Sequence, residues 1–405
     1  MEIERKEKRI ADAVALREPD RVPFLPQIGT AYTELGNVSK YEAMIDFRNF
    51  IPGIKYFLSR YDVDLFWTPA AYPISIMELL GTNFIKWPGP TNDLPLDSSH
   101  QIIDKSNMSE DEYDEFLKDP SFYILTHIYS ARHEKLKGLK NLKVNLLGVG
   151  HFASFALFAD PETREALEYM IQAGGLADKW RKEMAELVDV ALELNTPLGN
   201  SAVGGSAYDV FADYIRGFLN VPIDLFTIPD KVVAACEAMD VYSKYAVDEA
   251  AGRGQKYAFI ALHGGTDEMM SPEMYKKYYW PFLQRHIVRC VDHGMTPFVL
   301  TEGPYNTRLE TLCEVPKGKV IYAFEKVDIA KAKKVLGDTA CICGNISSTE
   351  LIFGKKEKVI DETKRMIELC APGGGFIMSN SISLDHYNEE NFDAWYETTM
   401  KYGNY

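Results

Sequence analysis

The sequence has little positive charge to spare. Its 405 residues carry 44 Lys and Arg against 59 Asp and Glu, a formal net charge of −15. That balance speaks against nucleic acid or an anionic membrane surface as a main partner. The basic bursts that exist, such as Lys355, Lys356 and Lys358, are short and mixed with acids, as on a solvated face. No apolar run approaches the roughly 18 residues of a membrane span. The six cysteines (Cys236, Cys290, Cys313, Cys341, Cys343 and Cys370) form no CxxC pair. That usage points to a reducing, cytoplasmic setting rather than a disulfide framework. The opening stretch MEIERKEKRIADAVALREPDR reads as a charged helix and lacks the apolar centre of a secretion signal. Low-complexity tracts, short repeats and an HExxH metal signature are also missing. No GxGxxG opens a helix, which disfavours a dinucleotide-binding sheet. What remains is 46% hydrophobic and 25% charged, ordinary for a globular chain long enough to bury a large core.

Short apolar runs alternate with amphipathic stretches. The runs cover residues 22–26, 63–67, 144–148, 196–199, 257–262, 296–301, 320–324, 339–343 and 376–379. Each has strand length and is apolar nearly throughout, as strands covered on both faces are. Residues 161–171, 179–194, 229–250, 272–293 and 328–336 show apolar spacing near 3.6 residues. Pro161, Pro229 and Pro272 stand where a first helical turn accepts proline. This alternation predicts a single-domain α/β fold, a (β/α)8 TIM barrel. Residues 1–20 form an N-terminal helical extension, and residues 92–142, after the second strand, form a lid-like insertion. One of the nine runs is surplus to the eight strands.

A barrel of this type places its chemistry at the C-terminal strand ends. Three successive runs close on Glu302, Glu325 and Cys343, separated by 23 and 18 residues, about one βα unit each. Two carboxylates and a thiolate suit a catalytic zinc ion with one open position. The same two glutamates also suit a metal-free acid–base pair. His263 closes the 257–262 run ahead of Gly264 and Gly265, with Asp267 nearby, and His151 closes another run. Trp67, Phe66, Tyr72, Phe152, Phe155, Phe158 and Tyr305 are candidates for an aromatic pocket, and Asn345, Ser379 and Asn380 stand at further strand ends as substrate-binding candidates.

Several stretches resemble the uroporphyrinogen decarboxylase superfamily over essentially the whole chain. They are Arg21-Val22-Pro23-Phe24, Ser271-Pro272-Glu273-Met274-Tyr275 with Pro281, Val327-Asp328-Ile329-Ala330-Lys331-Ala332-Lys333, Leu336-Gly337-Asp338 and Cys343-Gly344-Asn345-Ile346. The resemblance implies a barrel. The decarboxylases carry an arginine-rich motif early in the chain, but here that place reads Pro26-Gln27-Ile28-Gly29-Thr30-Ala31-Tyr32, without arginine. The zinc-dependent corrinoid methyltransferases that act on thiols carry an HxC pair and a later Cys. Here those places hold Leu300, Glu302 and Ser381. The chain is most similar to the carboxylate-using enzymes that remove methyl groups from methoxylated aromatics. That likeness implies zinc on Glu302, Glu325 and Cys343, a corrinoid (cobalamin) on a separate partner protein, and a homodimer.

Overall fold

Five of the expected runs form one parallel sheet. A computed structural model describes residues 2–143, 149–199 and 202–405. Two short strands, β1 (Ile85–Lys86) and β2 (Gln101–Ile102), pair antiparallel to each other. The main sheet follows chain order: β3 (Tyr257–Leu262), β4 (Thr296–Pro304), β5 (Ile321–Lys326), β6 (Cys341–Cys343) and β7 (Phe376–Ile377). Parallel neighbours need a crossover between them, and helices supply it. The runs at 22–26, 63–67 and 196–199 take part through isolated parallel bridges, Phe24 to Met378 and Phe66 to Leu198, while Ala202 bridges to Phe259. The Asp64 amide donates to the Phe24 carbonyl at 3.0 Å, which joins the first two of these runs. The 144–148 run lies outside the described residues.

Side chains alternate along a strand, and one face of this sheet gathers a single apolar layer. Leu25, Leu65, Trp67, Tyr257, Phe298, Leu300, Ile321, Ala323, Cys341, Cys343 and Ile377 pack together there. The helix α1 (Glu2–Val14) adds Ile10, Ala13 and Val14 to the same layer, so α1 covers the layer's floor. It ends earlier than residue 20. Leu16 takes a positive φ of 59°, and Pro19 disfavours helix in the residue before it.

Beside α1 lies a buried charge network. Asp64 is fully buried and pairs with Arg9 and, at 2.8 Å, with Arg21, and it accepts the Phe24 amide at 2.7 Å. Arg9 also binds Asp20 through a 2.6 Å pair.

The helical expectations need one correction. Residues 161–171 and 179–194 belong to a single helix, Pro161–Glu193, capped by Asp160. Gly174 and Gly175 lie inside it, where an added Cβ would meet nothing within 4 Å. Each glycine costs about 1 kcal/mol of helix propensity, which the packed ends of the helix absorb. The insertion carries β2 and then, from a Ser109–Glu112 capping box, continues as short helices to residue 141. Among the described residues, no helix is long and apolar enough to cross a membrane.

Candidate active site

At the C-terminal end of the apolar layer the same face turns polar. Two residues beyond Ala261, Leu300, Ala323, Cys343 and Ile377 come His263, Glu302, Glu325, Asn345 and Ser379. Of these, His263 and Glu302 stay more than a third exposed above the apolar floor, where a ligand can reach them.

His263 is the centre of the group. Its Nδ1 lies 2.7 Å from Asp213 and its Nε2 faces Glu302 at 3.5 Å. Asp213 comes from the turn Ala212–Arg216, which continues the helix Ala207–Phe211, and Asp209 lies one turn earlier on the same face. Asp209 is buried and accepts the Gly264 amide at 2.7 Å, the Ser206 hydroxyl at 3.0 Å and the Tyr279 hydroxyl. Gly264 and Gly265 let the backbone come this close. A Cβ on either would meet the Tyr208 or Tyr279 ring at 2.7 Å.

Burial alone would push the His263 imidazole down. The bonds to Asp213 and Glu302, with the Asp209 charge, outweigh burial and push it up to about 11. Burial likewise pushes Asp209 up to about 6, against the pull of His263. A raised imidazole contributes stability that is complete below about 6.5, its ordinary value, and is lost as the pH rises through about 11. The ring is therefore an imidazolium at neutral pH, and its side chain is still 37% exposed, so a substrate can reach it. We expect the His263 ring to hold its proton from pH 6 to 9 in histidine side-chain NMR. Asp213→Asn should bring its titration into that window, and an unchanged titration would refute the pairing.

Glu302 stands with this imidazolium. Glu325 reaches the same end through the Gly303 amide, which it accepts at 2.6 Å. Cys343 does not join them. It pairs in register with Ala323, two residues short of Glu325, or about 7 Å lower along a strand. There it is fully buried, and burial pushes its thiol up to about 12. Glu302, Glu325 and Cys343 thus do not converge as a ligand set. Among the described residues, one group of three metal-ligating side chains has its ligand atoms within 4.8 Å of one another: Glu112, Glu115 and His127 of the insertion.

Several other expected contacts turn out to hold the fold together. Asp267 accepts from the Thr307 hydroxyl at 2.6 Å and lies 3.7 Å from Arg308, pinning a loop. Asn380 donates to the Gln27 and Ile382 carbonyls and accepts the Gln27 amide. Ser379 is buried, with Gln27 Nε2 at 3.4 Å. Asn345 donates to the Glu325 carbonyl at 3.4 Å. Trp67 packs on Phe259 and Phe298 inside the apolar layer, and Tyr305 is fully buried. His151 lies on the helix Val149–Ser154 against Phe152 and Phe155. Phe152, Phe155 and Phe158 are exposed rather than lining an enclosed pocket.

Sequence reasoning missed Asp209 and Asp213. Their signal was the four-residue spacing in Tyr208-Asp209-Val210-Phe211-Ala212-Asp213, which puts both carboxylates on one helical face.

Known proteins share parts of this chain. The family profile described as uroporphyrinogen decarboxylase matches residues 179–402. Curated uroporphyrinogen decarboxylases from Trichodesmium erythraeum and Geobacter sulfurreducens are 24% identical over 203 residues and 23% identical over 182 residues. Those matches cover 48% and 44% of this chain and 54% and 52% of the relatives. The chain thus spans about half the length of the curated relatives it matches. A solved methyltransferase from Methanosarcina mazei has the same fold, with a TM-score of 0.62 over 98% of both chains at 14% identity.

Proposed function

This chain belongs to the uroporphyrinogen decarboxylase family, and we propose that it works as a methyltransferase. It takes a methyl group from the oxygen of a methoxylated aromatic compound and passes it to the Co(I) corrinoid of a separate protein. We read the parallel sheet and its edge bridges as a closed (β/α)8 barrel with this chemistry at its mouth. The observation that carries the reading is His263, an imidazolium held by two carboxylates yet open to solvent at a strand end.

An aryl methyl ether is slow to break because a phenolate leaves. The corrinoid, as co-substrate, supplies the two-electron nucleophile that receives the methyl. The methyl carbon–oxygen bond breaks with its electron pair on oxygen, and His263 Nε2 gives that oxygen its proton. A donor pushed up to about 11 is close in proton affinity to a phenolate, for which the ordinary value is about 10. Asp213 on Nδ1 fixes which nitrogen faces the substrate and stabilises the charged ring beforehand. Glu302 lies beside Nε2 at 3.5 Å and adds to the charge that holds the proton there; water at the open side of the ring restores it after transfer. The leaving oxygen is therefore assigned to His263 rather than to zinc, because the thiol of the expected zinc set lies a layer below the carboxylates.

Tetrapyrrole decarboxylation is disfavoured. The early segment has no arginine to hold the carboxylates of such a substrate. The test is methyl transfer from methoxybenzenes to reduced cobalamin, followed by visible absorbance. Methyl transfer with phenol release is the expected result. Failure with every methoxylated donor would overturn the reading. Zinc at one per chain, lost in Glu302→Gln, would overturn the assignment of the leaving oxygen to His263.

A further inference from the structure

Among the described residues, Arg132 is a buried cation in no ion pair. It ends the helix Tyr129–Arg132 in the insertion and is only 8% exposed. Its Nε has no hydrogen-bond partner among the described residues. Among the described residues, the one hydrogen bond of its side chain runs from Nη1 to the Tyr214 carbonyl at 3.5 Å. The guanidinium carbon instead lies 3.5 Å from the centre of the Phe84 ring and 4.9 Å from that of Tyr214. Burial pulls the group down to about 10, so it remains charged at neutral pH. Asp213, an acid within its electrostatic reach, is already committed to His263. A guanidinium has five donors in a planar fork, and a buried charge without a partner is costly. The unused donors call for an anion from outside the chain.

Arg132 also lines a cavity of about 150 Å³ whose other walls include Phe84, Ile124, Ile128, Ile215 and Met239. An apolar cavity of about that size accepts a benzene ring. The cavity wall adjoins the candidate active site along the chain, for Tyr214 and Ile215 of the wall directly follow Asp213, the partner of His263.

We propose that Arg132 holds the carboxylate of a small aromatic acid whose ring occupies this apolar cavity; as a statement about the methyl donor, this rests on the methyl-transfer reading above. The fork matches a planar carboxylate with two parallel bonds, and the wall is completed by Tyr129, His133 and Tyr214.

Calorimetry on the full chain tests this without any methyl transfer. Benzoate is expected to bind, and benzamide, which has the same shape without charge, to bind about tenfold more weakly or worse. Arg132→Gln should weaken benzoate by at least about tenfold and leave benzamide unchanged. Equal binding of benzoate and benzamide, or no binding of benzoate, would overturn the proposal. So would tighter binding of inorganic phosphate than of benzoate. If Arg132→Gln fails to fold, the benzoate–benzamide comparison on the unaltered chain decides. Methyl release from methoxybenzoate and from methoxybenzene separates the two readings. Equal release from both, without benzoate binding, removes the carboxylate subsite and keeps methyl transfer. Selective benzoate binding without release from either keeps the subsite and removes methyl transfer.

Discussion

Replacing His263 with alanine is expected to slow methyl release from an unactivated methoxybenzene by about 10²–10⁴-fold, the usual worth of a placed general acid. The size of the effect should depend on the leaving group. A phenolate made stable by a nitro substituent departs without needing the proton, so His263→Ala should lose far less with nitro-substituted methoxybenzenes. A structural role for the ring would slow all donors alike. The measurement is single-turnover transfer to reduced cobalamin across a series of substituted donors. A loss that is the same for every donor would remove His263 from the proton transfer. His263→Gln, which keeps a hydrogen bond to Asp213 but carries no acidic proton, should behave like alanine in this series.

The largest expected effect on stability is at Asp64. Its carboxylate is fully buried and faces Arg9, Arg21 and the Phe24 amide at once. Asp64→Ala leaves two buried guanidinium groups short of a counter-charge, and breaking such a network costs about 3–5 kcal/mol. Asp20 and Asp62 remain, but their side chains are 55% and 37% exposed, so water screens what they return. Urea denaturation should show the midpoint falling without a change in slope. A midpoint equal to that of the unaltered chain would mean that the exposed acids suffice.

How much of this was legible depends on what one residue can say about its neighbours in space. The sheet was legible because strands covered on both faces leave unbroken apolar runs, and all five strands of the main sheet fall on such runs. The runs at 22–26, 63–67 and 196–199 were legible as extended segments but not as bridge-length contacts, since pairing length depends on partners far along the chain. The apolar spacing lapses between 171 and 179, yet Asp160, Thr163 and Leu187 anchor one helix on either side of that gap. At the site, His263 and Glu302 were legible as polar strand ends. Cys343 was placed at the same rim because sequence gives each strand an end but not a height. The register of β6 on β5 sets that height and puts the thiol a layer too low. Asp213 was hidden because its role depends on a histidine 50 residues away. Arg132 was hidden for a different reason: what marks it is a missing counter-charge, and only a three-dimensional arrangement can leave a charge unpaired.

The floor that α1 forms has a consequence for how the chain is made. Ile10, Ala13 and Val14 share their layer with Ile377, and Phe24 bridges to Met378. A nascent chain cannot finish that layer until the last strand has left the ribosome. At about 5–20 residues per second, the wait is on the order of tens of seconds. Throughout it, α1 has only part of its layer to rest on, beginning with Leu25, Leu65 and Trp67. Contacts this distant in sequence make folding slow, so α1 has to wait for its far partners before it is held in place.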